Sequence, residues 1–385
     1  MIPYGRQDIS KEDINAVVKV LKSDYLTQGP VTPLFEEEVK NYCSAKFSFA
    51  FNSATSALHA ACFSLGLSKG DHVWTSANTF VASANCALYC DAKIDFIDID
   101  PDTYNLCINS LKKKLVKAKK DGKLPKVVIP VHLAGQSCKM KEIYSLSKKY
   151  KFKIIEDASH AIGGKYLSEK IGGCKYSDIT VFSFHPVKII TTGEGGIATT
   201  NDKKIAEKLD MFRTHGITKN EKKLINISHG SWFYEQQYLG FNYRMTDIHA
   251  AIGLSQMKRL DKMILKRHEI ASIYNSELKD LPVKIPYQDP DSFSSFHLYI
   301  LRLDLGNIKM SQKDIFSFLR DEKIFVNLHY IPVYFHPYYE NLGFKKGHCV
   351  QAEKYYREAI SIPIYPTLLK KDQKKVIKTL KKILK

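Results

Sequence analysis

The sequence predicts an α/β fold in which a large, mostly parallel sheet is followed by a smaller C-terminal α/β domain. Two observations predict it. From about residue 47 to residue 200, short apolar runs alternate with amphipathic helical stretches, the pattern of a sheet covered by helices on both faces. From Met245 onward that alternation yields to a long helical pattern and then to a second, shorter set of strands and helices. In an open sheet of this kind the ligand site lies at the C-terminal ends of the strands.

Taken in order, strands are read at Phe47–Phe51, Asp71–Ser76, Lys93–Ile97, Lys126–Pro130, Lys153–Glu156 and Ile179–Phe184. Helices are read from Ala54 to Leu65, near Ala82–Tyr89 and around Met140–Tyr150. Pro125 introduces a buried-looking strand, and Gly135, after Pro130-Val131-His132-Leu133-Ala134, marks a loop at the sheet rim. A long helix is expected over Ile248–Tyr274 as a spine shared by both domains. The chain then passes through Pro282, Pro286 and Pro290 into a strand at Phe296–Leu303. Helices Gln312–Glu322 and Val350–Glu358 complete the smaller portion. The division falls near residues 245–255, giving a large domain over 1–250 and a small one over 251–385.

With 385 residues the chain is long enough for two ordinary cores without disulfide or metal staples. The segment Met1-Ile2-Pro3-Tyr4-Gly5-Arg6 carries no basic stretch followed by an apolar run, and no run approaches 18 apolar residues, so a cytoplasmic location without membrane attachment is expected. The eight cysteines are scattered. Cys86 and Cys90 lack the second pair or nearby histidines that a zinc site needs, so no metal is expected. The net charge of +18 raises the question of nucleic acid. Its lysines, however, lie along amphipathic helical stretches such as Leu111 to Lys117 and the terminal run Lys370 to Lys385, where Val376, Ile377, Leu380, Ile383 and Leu384 recur at helical spacing. No recognition-helix, zinc-finger or aromatic RNA-binding pattern accompanies them.

The chemistry concentrates at strand ends. Phe51-Asn52-Ser53-Ala54-Thr55-Ser56-Ala57 places small polar residues between a strand and a helix. There the free amides and dipole of a helix N-terminus favour an anion such as phosphate, although the same residues read equally as an ordinary cap. Phe80, just past the next strand, reads either as a packing residue or as a ring stacked on a planar cofactor. Asp157 follows an apolar strand; it either caps a helix or pairs with a pyridine nitrogen, keeping that ring protonated as an electron sink. His160 reads as an orienting group for Asp157 or for a cofactor phenolic oxygen, or as a core histidine. Lys188 ends Val181-Phe182-Ser183-Phe184-His185-Pro186-Val187-Lys188, before the glycine-rich Thr191-Thr192-Gly193-Glu194-Gly195-Gly196. A partly buried lysine there has a lowered pKa, bonds to a carbonyl carbon and shuttles protons. Together Lys188 and Asp157 suggest a pocket for an aldehyde cofactor.

Seven segments, in order along most of the chain, carry a resemblance: Leu26 to Pro30, Asn52 to Ala57, Glu156 to His160, Phe182 to Lys188, Thr191 to Gly196, Gly240 to Met245, and His329-Tyr330-Ile331-Pro332-Val333-Tyr334. The chain resembles the DegT/DnrJ/EryC1/StrS family of pyridoxal-phosphate-dependent sugar aminotransferases. That resemblance implies the fold type I (aspartate-aminotransferase-like) architecture and a cofactor cycling between pyridoxal 5'-phosphate and pyridoxamine phosphate. It implies that Lys188 bonds covalently to the cofactor, that Asp157 partners the ring nitrogen and that Phe80 stacks on the ring. Ser53, the Ala54 amide, Thr55 and Ser183 would hold the phosphate, joined by Asn242 from the other subunit of a homodimer with shared sites. His160 would sit at the ring, and Thr27, His329, Tyr330, Pro332 and Tyr334 on the sugar side. The His-Tyr-x-Pro-Val-His pattern of relatives ends here in Tyr334, which removes one histidine contact.

A deoxygenating branch of the family carries histidine in place of the lysine, so Lys188 speaks for amino transfer. Phe182–Lys188, Ile190–Gly196 and Phe212-Arg213-Thr214-His215-Gly216 resemble the branch that aminates C4 of a UDP-linked 4-keto-6-deoxy-HexNAc in pseudaminic acid synthesis, giving UDP-4-amino-4,6-dideoxy-N-acetyl-β-L-altrosamine. L-glutamate would be the donor and 2-oxoglutarate its product. C4 aminotransferases of bacillosamine, perosamine or viosamine type, and a non-catalytic pyridoxal-binding regulator, remain as alternatives. The basic surface suits long-range steering of a doubly charged nucleotide-sugar.

Overall fold

The computed structural model describes residues 1–384. Seven strands form the main sheet: β1 (Phe47–Phe51), β2 (His72–Ser76), β3 (Lys93–Ile97), β4 (Val127–Ile129), β5 (Lys153–Asp157), β6 (Ile179–Ser183) and β7 (Gly196–Thr200), in the spatial order β1-β7-β6-β5-β4-β2-β3. Neighbours from β6 across to β3 run parallel, and β7 is antiparallel to both β6 and β1. The sequence reading placed β1 to β6 but passed over β7. Its residues, Gly-Ile-Ala-Thr-Thr, are small and half polar, yet all five are buried inside the sheet, where helices packed on its faces supply the apolar cover.

Helix α1 (Ala54–Ser64) follows β1 and helix α2 (Ala82–Leu88) follows β2. Ser53 caps α1, its Oγ accepting from the Ser56 amide at 3.1 Å. Buried Ala57, Ala60 and Ala61 let α1 lie close on the sheet.

The expected single spine over Ile248–Tyr274 is two helices, α3 (Asp247–Met257) and α4 (Leu260–Leu278). Arg259 lies between them with φ −112° and ψ 0°. Its guanidinium reaches the N-terminal segment at Asp8 (3.1 Å) and buried Asp13 (2.7 Å), so the break is set by ion pairs with residues some 250 positions earlier, beyond the reach of local periodicity.

Beyond the spine, a three-stranded antiparallel sheet joins Val283–Lys284, Tyr299–Leu303 and Ala359–Ile362. With α4 it encloses a separate core containing Tyr274, Tyr299, Leu301 and Ile360. The strand expected from Phe296 begins at Tyr299, because Phe296 takes φ +47° while Ser295 and Leu298 donate to the Gly135 and Ala134 carbonyls. Ile2 and Pro3 pair in parallel with Ile324 and Phe325, so the first residues join the C-terminal layer. We propose a division of the chain at the start of the spine, with Ile2 crossing to the C-terminal side. No described helix is long and apolar enough to cross a membrane.

Candidate active site

A cavity of about 700 Å³ opens where the C-terminal ends of β5 and β6, the start of α1 and the C-terminal layer converge. Sheet register assembles its floor. Asp157 ends β5 opposite Val181, and β6 carries the chain on to Ser183. Gly196 of β7 pairs with both Ser183 and Phe51, which places Ser183 beside the strand leading into Ser53. A Cβ on Gly196 would fall 2.5 Å from the Ala54 amide nitrogen, so only glycine lets the helix N-terminus sit this close.

Of the sequence-derived residues, Ser53, Ala54, Thr55, Phe80, Asp157, His160, Ser183, Lys188, His329 and Tyr330 all line this cavity. Burial pulls the Lys188 amine down to about 8, and the nearby Asp157 carboxylate offsets part of that shift. Asp157 is buried and held at both oxygens, Oδ1 by the Ser159 amide at 3.0 Å and Oδ2 by the Ser83 hydroxyl at 2.5 Å. Its neighbour Glu156 faces the opposite side of the sheet and meets His132 at 2.7 Å, as strand alternation requires. Phe80 is 58% exposed although it lies on the cavity wall, so its ring is not consumed by packing.

His160 does not orient Asp157. Its Nδ1 accepts from the Ala134 amide at 3.3 Å, and its Nε2 lies 3.1 Å from the Tyr330 hydroxyl. Burial, reinforced by Lys188 and His329, holds its pKa well below the usual value, so the ring is neutral, with the proton on Nε2 directed at Tyr330. His329 is likewise held down, to about 3, by burial and Lys188, and its Nδ1 meets Ser361 Oγ at 2.9 Å.

Four sequence-derived residues lie outside the wall. Tyr334, expected on the sugar side, is 0% exposed. After Ile331 a short 3-10 turn, Val333–Phe335, curls away from the cavity, pinned by the Val333 amide to the Ala77 carbonyl at 3.1 Å. The Tyr334 hydroxyl donates to Glu353 at 2.7 Å, and its ring packs near Phe96. Pro332 is buried at the same turn. Thr27 is exposed and bridges Thr246; Asn242 is exposed and bridges Thr214. Neither contributes to this chain's cavity.

The sequence reading missed Tyr4, Glu194, His297, Asn327 and His336 on the wall, and Ser83 behind Asp157. Only Ser83 left a signal. It lies at the start of the helical stretch, four positions after Thr79, so two small hydroxyl residues flank the end of one strand and the start of the next helix.

Pyridoxal phosphate fits this donor set. Helix-start amides with Ser53, Thr55 and Ser183 hydroxyls offer an anion cradle, Asp157 offers a buried acceptor, Phe80 an open ring face and Lys188 an amine of lowered pKa.

Residues 7–381 match the DegT/DnrJ/EryC1/StrS aminotransferase family. An uncharacterized protein of Methanocaldococcus jannaschii is 39% identical over 384 residues, covering 99% of this chain and 97% of its own length. The UDP-4-amino-4,6-dideoxy-N-acetyl-beta-L-altrosamine transaminase of Campylobacter jejuni is 38% identical, with 100% and 98% covered. Among solved structures, Helicobacter pylori PseC, an aminotransferase involved in the biosynthesis of pseudoaminic acid, superposes with TM-score 0.90 at 31% identity, over 100% of this chain and 99% of that one. The pyridoxal-phosphate form of the Streptococcus pneumoniae putative sugar aminotransferase Spr1654 gives 0.89 at 28% identity, over 99% and 98%. The match along nearly the whole chain places it: the chain belongs to the DegT/DnrJ/EryC1/StrS aminotransferase family, has the aspartate-aminotransferase-like fold type I and uses pyridoxal phosphate as its cofactor.

Proposed function

We propose that this sugar aminotransferase moves the amino group of L-glutamate to C4 of a UDP-linked 4-keto-6-deoxy-HexNAc, giving UDP-4-amino-4,6-dideoxy-N-acetyl-β-L-altrosamine. The observation that carries amino transfer is Lys188, an amine brought down to about 8 beside Asp157 inside a 700 Å³ cavity. At pH 7 about one such amine in ten is neutral, against about three in ten thousand at the ordinary lysine value. The choice of sugar is supported by the 38% identical Campylobacter transaminase and by PseC.

Bound pyridoxal phosphate supplies a carbonyl carbon to carry the amino group and a ring that withdraws electrons. The protein's part is binding and proton management. Ser53, Thr55, Ser183 and the opening amides of α1 hold the phosphate, and Asp157 holds the proton of the ring nitrogen. Lys188 Nζ takes a proton from the donor's α-carbon and delivers one to sugar C4, so the face it serves sets the new stereocentre. Tyr330, oriented by His160, borders the sugar. A homodimer is supported by an exposed apolar strap, with Ile225 at 80%, Ile227 at 87%, Trp232 at 72% and Leu239 at 79%, leading to Asn242, which is exposed and does not line its own cavity.

The test is to incubate the cofactor-loaded protein with glutamate and a panel of UDP- and dTDP-4-keto sugars and to read the C4 configuration of the product by NMR. Turnover of the UDP-L-arabino sugar with axial or equatorial outcome matching the altrosamine product is expected. Strict preference for another sugar overturns the substrate, and binding of cofactor without loss of its colour on adding glutamate overturns catalysis.

A further inference from the structure

We infer that Ser83 is a positioning residue that, backed by Thr79, fixes the Asp157 carboxylate for its work on the cofactor ring. The inference rests on the proposed role of Asp157 as the ring-nitrogen partner.

Three buried side chains form one chain of hydrogen bonds. Thr79 Oγ1 lies 2.8 Å from Ser83 Oγ, and Ser83 Oγ donates to Asp157 Oδ2 at 2.5 Å. Ser83 is 0% exposed and Thr79 is 2% exposed, so water does not compete for either hydroxyl. The direction of the chain follows from proton counting. A hydroxyl has one proton, and an ionised carboxylate accepts only. Ser83 therefore spends its proton on Asp157 and accepts from Thr79. Thr79 in turn is the donor, and the relay runs one way, from hydroxyl to hydroxyl to carboxylate. Hydrogen bonds of this charge-assisted type are the strong ones, and two in series polarise each other.

The other carboxylate oxygen accepts from the Ser159 amide at 3.0 Å, so the plane of Asp157 is fixed from both sides before any ligand arrives. The relay is also tied to the ring-facing aromatic residue. Phe80 immediately follows Thr79, so one turn of chain presents an open ring face on one side and the carboxylate clamp on the other. A shift of this turn would move the stacking face and the ring-nitrogen partner together. His160, on the loop that follows Asp157, does not substitute for it, because its ring nitrogens are committed to Ala134 and Tyr330.

The experiment compares wild type, Ser83→Ala, Ser83→Thr, Thr79→Val and Asp157→Asn. Each apoprotein is titrated with pyridoxal phosphate to give a Kd, and the absorbance band of the bound cofactor is followed against pH. Losing one charge-assisted hydrogen bond predicts roughly tenfold weaker binding in Ser83→Ala and a shifted band titration, with a smaller effect in Thr79→Val and recovery in Ser83→Thr. Asp157→Asn should be affected at least as strongly as Ser83→Ala. Thermal melting of the apoproteins separates a folding defect from a positioning one, since a positioning role predicts apo melting close to wild type in Ser83→Thr together with restored affinity and titration. If Asp157→Asn is impaired while Ser83→Ala matches wild type in both readouts, Ser83 only fills space and the inference is overturned. If Asp157→Asn itself matches wild type, the reading of Asp157 falls first and takes this inference with it.

Discussion

The two walls of the cavity are built differently. The sheet wall, carrying Ser53, Asp157, Ser183 and Lys188, hangs on strand ends and the short turns that leave them: Asp157 and Ser183 end strands laddered on both sides, Ser53 follows the edge strand β1 paired with β7, and Lys188 lies on the turn after β6. The C-terminal wall, carrying His297, Asn327, His329, Tyr330 and His336, hangs on loops that reach the cavity from the second layer. In the first, position in sequence goes far to determine position in space, because a residue at or just past the end of a buried, paired strand has little freedom to move. In the second, one short turn decides whether a side chain faces the cavity or the core, and Tyr330 and Tyr334 lie on opposite sides of that decision.

The largest effects belong to the sheet wall. Lys188→Ala removes the only lysine amine lining the cavity among the described residues and should lower turnover by about 10²–10⁴-fold, the range for a lost proton-transfer group. Rapid-mixing measurement of the glutamate half-reaction checks it. A comparable loss from Tyr330→Phe, on the loop wall, would erase the proposed difference between the two walls. Expected there is mainly a raised KM for the sugar, read from steady-state kinetics.

Next comes pH. The Lys188 amine titrates at about 8, so combination of the apoprotein with pyridoxal phosphate should accelerate as pH rises through 8 instead of near the ordinary lysine value of 10.5. That difference is about 3 kcal/mol in favour of the neutral amine. The Asp157 carboxylate raises the value, so Asp157→Asn should move the inflection to lower pH. An inflection left near 10.5 in the wild type would mean that the amine is hydrated and that the sheet wall is no more enclosed than the loop wall.

A joint between the walls should give the third effect. Gly135 follows the rim of β4 at φ +102°, and a Cβ there would stand 2.5 Å from Ser295 Oγ and 3.0 Å from the His160 carbonyl. Gly135→Ala is expected to cost about 1–3 kcal/mol in denaturant unfolding, from left-handed backbone strain together with the clash. It should also loosen His160 and, through Ser295, the neighbouring His297. Loss of stability with sugar KM unchanged would show that the loop wall is held independently of the rim.

How much could be read from the chain follows the same division. The strand-end motifs made Ser53, Asp157 and Lys188 legible, because apolar runs mark where a strand stops, while Ser183 came only with the family resemblance. Strand β7 and the break at Arg259 were not legible. The first is made of small residues whose burial comes entirely from neighbours, and the second is imposed by Asp8 and Asp13 from the other end of the sequence. Tyr4 and His297 reach the cavity through pairing of Ile2 with Ile324 and through the Ser295–Gly135 contact. Those are long-range pairings that no local pattern announces.

The smallest expected effect is the sharpest check on the turn itself. Tyr334 stands where the family resemblance implies a histidine, and its hydroxyl donates to Glu353 at 2.7 Å while accepting from the Cys349 amide at 3.1 Å. Glu353 also takes the Gly347 amide, so one carboxylate ties the turn to the segment before the helix Val350–Glu358. Tyr334→Phe keeps the ring against Phe96 and removes only the hydroxyl. It should cost about 1 kcal/mol of stability, the net worth of a buried hydrogen bond, and leave the KM for the nucleotide-sugar unchanged. Tyr334→His is the more telling partner. An imidazole is shorter than a phenol and does not span the distance to Glu353, so it should destabilise more than Tyr334→Phe without gaining sugar affinity, provided the turn holds its course. If Tyr334→His instead lowers the sugar KM, the turn has enough freedom to present that position to the cavity, and the C-terminal wall selects its residues by adaptation where the sheet wall does so by register.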